Sequence, residues 1–302
     1  MSNIIALVWD FDKTLISEYM QTPMFKEYGI DSKTFWDEVN SYSKQFKEKE
    51  VRVNNDTSYL NFLIRYAQDG RFFGLNNQKL KEYGEKLNFY NGIPDIFIAT
   101  KNVVENEPKY REYDIKVEHY IVSTGTAETI RGSKVMQYVE DVYGCEFAEV
   151  SNKDGNSIIG EVLYALDNTS KTRALFEINK GVGKRDGVEV NSKINEEFRR
   201  VKFKNMVYIA DGPSDIPAFS VINKGEGSTF AIYPKGDVNA FKQVERLRKD
   251  GRVQMYAEAD YSEGTTAYMW LTNKVREIAD RICKEEKYKL ESITSDAPKH
   301  IN

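Results

Sequence analysis

An open parallel α/β sheet interrupted by an all-helical block is the fold class that this 302-residue sequence predicts. Three observations lead there. Four short apolar runs recur along the chain, each followed by turn residues and a helical pattern. Strand-like runs vanish between Leu15 and about Tyr90, where helical signals follow one another. Two of the apolar runs end abruptly in pairs of aspartates, where open α/β sheets place their ligands.

The first run, Ile4 to Trp9, is apolar at every position, as suits a strand buried on both faces of a parallel sheet. Four helices are expected after it. Thr22-Pro23 opens the first, with proline at the initial helical position, and Gly29 closes it. Phe35, Val39, Tyr42 and Phe46 mark one stripe of the second. Asp56 is the expected cap of the third, which carries Leu60, Leu63, Ile64 and Ala67 and stops at Gly70. Leu80, Tyr83 and Leu87 mark the fourth. The α/β pattern resumes at Gly92-Ile93-Pro94, so the helical block reads as a domain inserted beyond the first strand. Further strands are expected at His119 to Val122, Met206 to Ala210 and Thr229 to Tyr233. Lys171 opens a helix that stops at Gly181, the stretch Gly181 to Gly187 reads as a polar loop, and the tail after about Ser292 is expected to fray.

Composition narrows the function. With 40% hydrophobic, 13% aromatic and 30% charged residues the chain can build a sizeable core, and its length suits two units better than one. Its 43 basic and 47 acidic residues give a net charge of -4, too balanced to attract nucleic acid or an anionic membrane. No run approaches the roughly 20 apolar residues of a membrane span, and the N-terminus does not resemble a signal peptide. Only two cysteines occur, Cys145 and Cys283, as expected of a reducing compartment. A cytoplasmic location follows, in which the glycosylation-like matches at Asn55 and Asn168 arise by chance.

The chemistry concentrates at the strand ends. Asp10 and Asp12, two residues apart, face one pocket if the chain stays extended past Trp9. Their mutual repulsion calls for a cation. Asp211-Gly212-Pro213-Ser214-Asp215 repeats the arrangement after the run MVYIA. If those two strands are neighbours, Asp10 and Asp211 can share Mg²⁺, which favours sparse oxygen sites completed by water and phosphate. A lone aspartate after a strand is more often a turn or cap residue; two acidic pairs after fully apolar strands are not so easily explained. The only histidines, His119 and His300, disfavour zinc or a histidine-based triad. Ser123-Thr124-Gly125 offers a hydroxyl and backbone N–H groups suited to phosphate oxygens. Lys171, taken alone, reads as a solvated first-turn residue.

Taken together, WDFDKTL, IVSTG, the helix-opening Lys171 and IADGPSD resemble, in order, the four motifs of the haloacid dehalogenase-like hydrolase superfamily. The helical insert resembles the cap of its phosphoserine-phosphatase-like members. Where many members have glycine before the aspartate of the fourth motif, this chain has Ala210. The resemblance implies a three-layer Rossmann-like core of residues 1–16 and 91–302 and a helical cap of residues 17–90. It also implies Mg²⁺-dependent hydrolysis of a small phosphorylated metabolite, with Asp10 as nucleophile and Asp12 as general acid and then base. Thr14 would hold the turn, while Ser123, with Thr124 and Gly125, would bind the phosphoryl group. Lys171 would offset charge, and Asp211, Asp10 and the carbonyl of Asp12 would bind metal, with Asp215 acting from behind or through water. A phosphotransferase or mutase, and a catalytically silent binding protein, are the alternatives. Glu18, Tyr19, Arg65 and Arg71 are the cap-side candidates for substrate contact.

Overall fold

The computed structural model describes residues 3–295. Its core is a seven-stranded sheet in the order β4-β3-β2-β1-β5-β6-β7. The strands are β1 Asn3–Trp9, β2 Ile115–Thr126, β3 Asp141–Ser151, β4 Ser157–Tyr164, β5 Met206–Ala210, β6 Ser228–Tyr233 and β7 Met255–Glu258. All neighbours pair in parallel except β3 and β4. Three of these strands escape a reading of apolar runs. Strands β3 and β4 alternate more and less covered residues along much of their length, and β7 is only four residues long.

Three layers follow from the pleat. Ile5, Leu7 and Trp9 of β1, with Val207, Ile209, Phe230 and Ile232, fill one face of the sheet. The alternate residues Ile4, Ala6 and Val8, with Met206, Tyr208 and Ala210, fill the other. After β1 come α1 Thr22–Tyr28, α2 Ser32–Lys47, α3 Asn55–Gln68 and α4 Asn77–Glu85. Helices α5 Asp95–Glu105 and α6 Pro108–Arg111 precede β2, and α7 Ala127–Arg131 follows it. The remaining helices are α8 Lys171–Lys180, α9 Ile216–Lys224, α10 Val238–Lys249 and α11 Thr266–Ser295. Helices α5 and α11 cover the first face, while α8, α9 and α10 cover the second. None of the helices among the described residues is long and apolar enough to cross a membrane.

The stop signals act as expected: Gly29 and Gly181 end α1 and α8 in the left-handed conformation, at φ 64° and 80°. The cap of α3 is Asn54, two residues before the expected Asp56, because the Asn54 side chain accepts from the Asp56 N–H. Helix α11 continues through Ser295, past the expected fraying point; residues 296–302, including His300, lie outside the described part.

Helices α1 to α4 pack around Phe25, Phe35, Leu63, Tyr66 and Phe72. Cys145 and Phe147 of β3, Ile158 and Ile159 of β4, and Leu166 join the same cluster, so the far ends of β3 and β4 carry the helical block. The chain enters and leaves this block by one doorway, where the Ser17 N–H donates to the Asn88 carbonyl and the Tyr90 N–H to the Leu15 carbonyl.

Candidate active site

Strand β1 ends beside both of its partners. Trp9 is level with Ile121 of β2 and Ile209 of β5, and the Asp10 N–H donates to the Ile209 carbonyl at 2.8 Å. Asp10, Ser123 and Asp211 therefore emerge together at the carboxyl edge of three adjacent strands. The extended form does not persist beyond Phe11. Thr14, Leu15 and Ile16 all donate to the Phe11 carbonyl, and Lys13 adopts φ 61°, a left-handed geometry that costs a non-glycine residue energy. The two carboxylates therefore sit in different surroundings. Asp10 stays buried, whereas Asp12 keeps some exposure and its Oδ1 accepts from the Met20 N–H at 3.0 Å.

Lys171 is 2% exposed, which overturns the solvated reading of that residue. Its Nζ donates to Asp10 Oδ1 and to Asp215 Oδ1, both at 2.7 Å. Its position is set from behind by a closed turn: the Asp167 N–H donates to Ser170 Oγ, and the Ser170 N–H donates back to Asp167 Oδ1. Asn54 of the helical block donates to the other Asp167 oxygen at 2.8 Å. Lys180 and Lys184, the next lysines along the chain, go elsewhere, to the carbonyls of Val190 and Ser192 and to Glu140.

Thr14 Oγ1 donates to Asp10 Oδ2 at 3.2 Å. Buried Ser123 accepts from the Gly125 N–H at 3.0 Å, and the Thr124 carbonyl accepts from the Tyr59 hydroxyl at 2.7 Å. A Cβ on Gly125 would fall 2.1 Å from the Met20 Cε, so a side chain there requires Met20 to move. Met20 sits there because its sulfur accepts from the Thr126 N–H.

Some contributors carry no signal of their own in the sequence. The Tyr208 hydroxyl, inside the apolar run of β5, donates to Asp215 Oδ1 at 2.7 Å. The Tyr261 hydroxyl donates to the Thr14 carbonyl at 2.7 Å and its N–H to the Asn91 carbonyl, which gives the stretch Ala257 to Thr266 a structural place. Arg65 and Arg71 make their contacts within the helical block. Arg65 donates to the Tyr42 hydroxyl and lies over the Phe62 ring, and Arg71 pairs with Asp69 and lies over Tyr66.

Carboxylate oxygens of Asp10, Asp211 and Asp215 lie within 4.8 Å of one another. With Asp12 they make four carboxylates against the one ammonium in contact with them, so full ionisation would leave three negative charges beneath a poorly solvated surface. The titrations register this excess. Burial raises Asp10 to about 6 although Lys171 opposes it, and burial with the charge of Asp10 raises Asp12 to about 7. Asp211 is raised well above the carboxylate range, by burial first and then by Asp10 and Asp215. Burial works against the charge on Lys171, but Asp10 and Asp215 overcome it and hold the ammonium above the ordinary lysine value. An all-oxygen donor set with surplus negative charge fits a hard divalent cation such as Mg²⁺. Asp215 is the most committed donor, since its oxygens already accept from Lys171, Tyr208 and Ser214.

No family model matches the chain. A Borreliella burgdorferi protein described only as an uncharacterized protein is 36% identical, over 90% of this chain and 97% of its own length. Among solved structures, a HAD family hydrolase from Salmonella enterica serovar Typhi superposes with a TM-score of 0.53 at 13% identity, over 90% of this chain and 71% of the other. A probable phosphoserine phosphatase from Vibrio cholerae gives 0.52 at 14% identity, over 92% and 67%. At such identities these two likenesses establish the fold.

Proposed function

From a chain that belongs to one family with the Borreliella burgdorferi protein and has the haloacid dehalogenase-like hydrolase fold, we propose a Mg²⁺-dependent phosphatase that hydrolyses a small phosphorylated metabolite through an aspartyl phosphate. The observation that carries this reading is the buried Asp10–Lys171–Asp215 bridge, standing beside Asp12 and Asp211 at the ends of neighbouring strands.

Asp10, raised only to about 6, is ionised at neutral pH, and Thr14 and Lys171 hold one oxygen each. It attacks phosphorus, the bond to the leaving oxygen breaks, and that oxygen takes a proton from Asp12. Asp12 suits the task because its value of about 7 keeps a large protonated fraction near neutrality. The carboxylate left behind then takes a proton from water as that water attacks the phosphoryl group, releasing phosphate and restoring Asp10. Ser123, oriented by the Gly125 N–H, donates to a phosphoryl oxygen, with Thr124 and Gly125 lining its path. Lys171 holds Asp10 in place and offsets the negative charge that gathers. Mg²⁺, held by Asp10, Asp211 and the main-chain carbonyl of Asp12, with Asp215 acting through water, would neutralise phosphate charge.

Residues 17–90 form the cap on this reading, and residues 1–16 and 91–302 the core. The doorway at Leu15, Ser17, Asn88 and Tyr90 is the natural hinge. The test is hydrolysis of an aryl phosphate with Mg²⁺ and with EDTA, with Asp10→Asn run alongside. Activity that needs Mg²⁺ and disappears in the variant is expected; equal activity in EDTA, or a fully active variant, would overturn the reading.

A further inference from the structure

The chain between the catalytic turn and α1 carries Tyr19, whose ring is 53% exposed. It lies close enough to Asp12 and Asp211 to feel both charges, and the Lys13 ammonium stands 5.0 Å from its centroid. Tyr19 begins a line of rings. Its centroid is 6.3 Å from that of Trp36 on α2, and Trp36 is 5.7 Å from Tyr59 on α3. Tyr59 is buried, also feels Asp12, and ends the line by donating to the Thr124 carbonyl, next to Ser123. The rings thus run from the exposed rim of the helical block down to the loop assigned to phosphate.

A core explanation suits Tyr59 and the covered side of Trp36, which packs on Phe35, but not the open side of Trp36 or half-exposed Tyr19. Of the charged residues nearby, Arg65 is held by Tyr42 and Phe62, Arg71 by Asp69 and Tyr66, Lys13 donates to the Ser17 carbonyl, and Glu18 is an exposed carboxylate of the same sign as a phosphate. What remains beside the acidic pair is aromatic surface, which recognises flat apolar groups by stacking and edge contacts.

We propose that Tyr19 and Trp36, with Tyr59 tying the line of rings to the Thr124 loop, form a leaving-group subsite for a flat ring, making phosphate monoesters of ring-bearing alcohols the substrate class. This rests on the phosphatase reading above. Stacking against such a wall favours a ring over a short alkyl group by about tenfold.

The comparison that isolates the ring is benzyl phosphate against ethyl phosphate, whose alcohols are similar leaving groups. The expected kcat/KM ratio is about ten or more, falling below about three in Tyr19→Ala and Trp36→Ala and recovering in Trp36→Phe. Because Trp36 also packs on Phe35, exposed Tyr19 is the variant that leaves the fold undisturbed. A ratio near one, or one that neither alanine variant changes, overturns the subsite. Calorimetry with benzylphosphonate and ethylphosphonate in Mg²⁺ separates this from failure of the phosphatase reading. Tighter binding of the benzyl compound without turnover of either ester keeps the subsite and removes the hydrolysis; equal binding, or none, removes the subsite.

Discussion

Withdrawing the cation should turn the acidic site into a pH-dependent weakness of the fold. Asp10 and Asp12 titrate in the folded chain at about 6 and about 7, above the ordinary carboxylate value. A raised value means that the folded form binds more protons, so the stability linked to it is complete below the unfolded value and is lost as pH rises through the folded one. From pH 5 upward about two units remain to be lost at Asp12 and one at Asp10, about 4 kcal/mol together. Asp211 shifts in the same direction. His119 works in the opposite sense. Burial lowers it to about 3, so stability rises with pH up to its unfolded value near 6.5, a gain of about 2 kcal/mol from pH 5. The metal-free protein should therefore lose at least about 2 kcal/mol between pH 5 and 8, with Asp211 adding to the loss. Saturating Mg²⁺ keeps Asp10 and Asp211, whose carboxylates hold it, ionised throughout and removes their contribution to the slope, which leaves the opposed contributions of Asp12 and His119 to nearly cancel. Urea denaturation at pH 5, 6, 7 and 8, in EDTA and in Mg²⁺, reads both slopes. A metal-free stability that climbs with pH, or two parallel curves, would refute the charge accounting of the site.

Lys171→Met should lower kcat by about two to three orders of magnitude and destabilise the metal-free protein most at high pH, because two buried carboxylates lose their shared cation; steady-state kinetics and urea titration at two pH values check it. Asp167→Ala frees the turn that presents Lys171 and cuts its tie to Asn54, so kcat should fall several-fold while far-ultraviolet circular dichroism is unchanged. Gly125→Ala drives a methyl group into Met20 and should cost about 1 to 3 kcal/mol of stability together with activity, measured by thermal melts and turnover.

The legible parts of the fold are those where one residue type has one physical reason to be present. The apolar runs Ile4 to Trp9 in β1, Met206 to Ala210 in β5 and Phe230 to Tyr233 in β6 announce a sheet buried on both faces, and Gly29 and Gly181 stop their helices in the left-handed conformation that favours glycine. Strands β3 and β4 were hidden because much of their alternation belongs to a hairpin half exposed and half packed against the helical block. Within the site, Asp10 and Asp211 could be placed together once β1 and β5 were neighbours, as they are. The depth of Lys171 could not be read, because it depends on Asp167, Ser170 and Asn54 closing behind it. Tyr208 and Tyr261 were invisible for a similar reason: a tyrosine in the apolar run MVYIA looks like core, and one in the polar stretch ADYSE looks like loop, until the partner of its hydroxyl is known.

The most direct test of the central claim is chemical capture of the covalent intermediate. Protein turning over a phosphate ester in Mg²⁺ is quenched with borohydride, which reduces an acyl phosphate to the alcohol, and the peptide IALVWDFDKTL is sequenced by mass spectrometry. Homoserine at position 10, absent when EDTA replaces Mg²⁺, is the predicted result. Homoserine at position 12 instead, or an unmodified peptide from protein that is visibly releasing phosphate, would contradict the assignment of Asp10 as nucleophile.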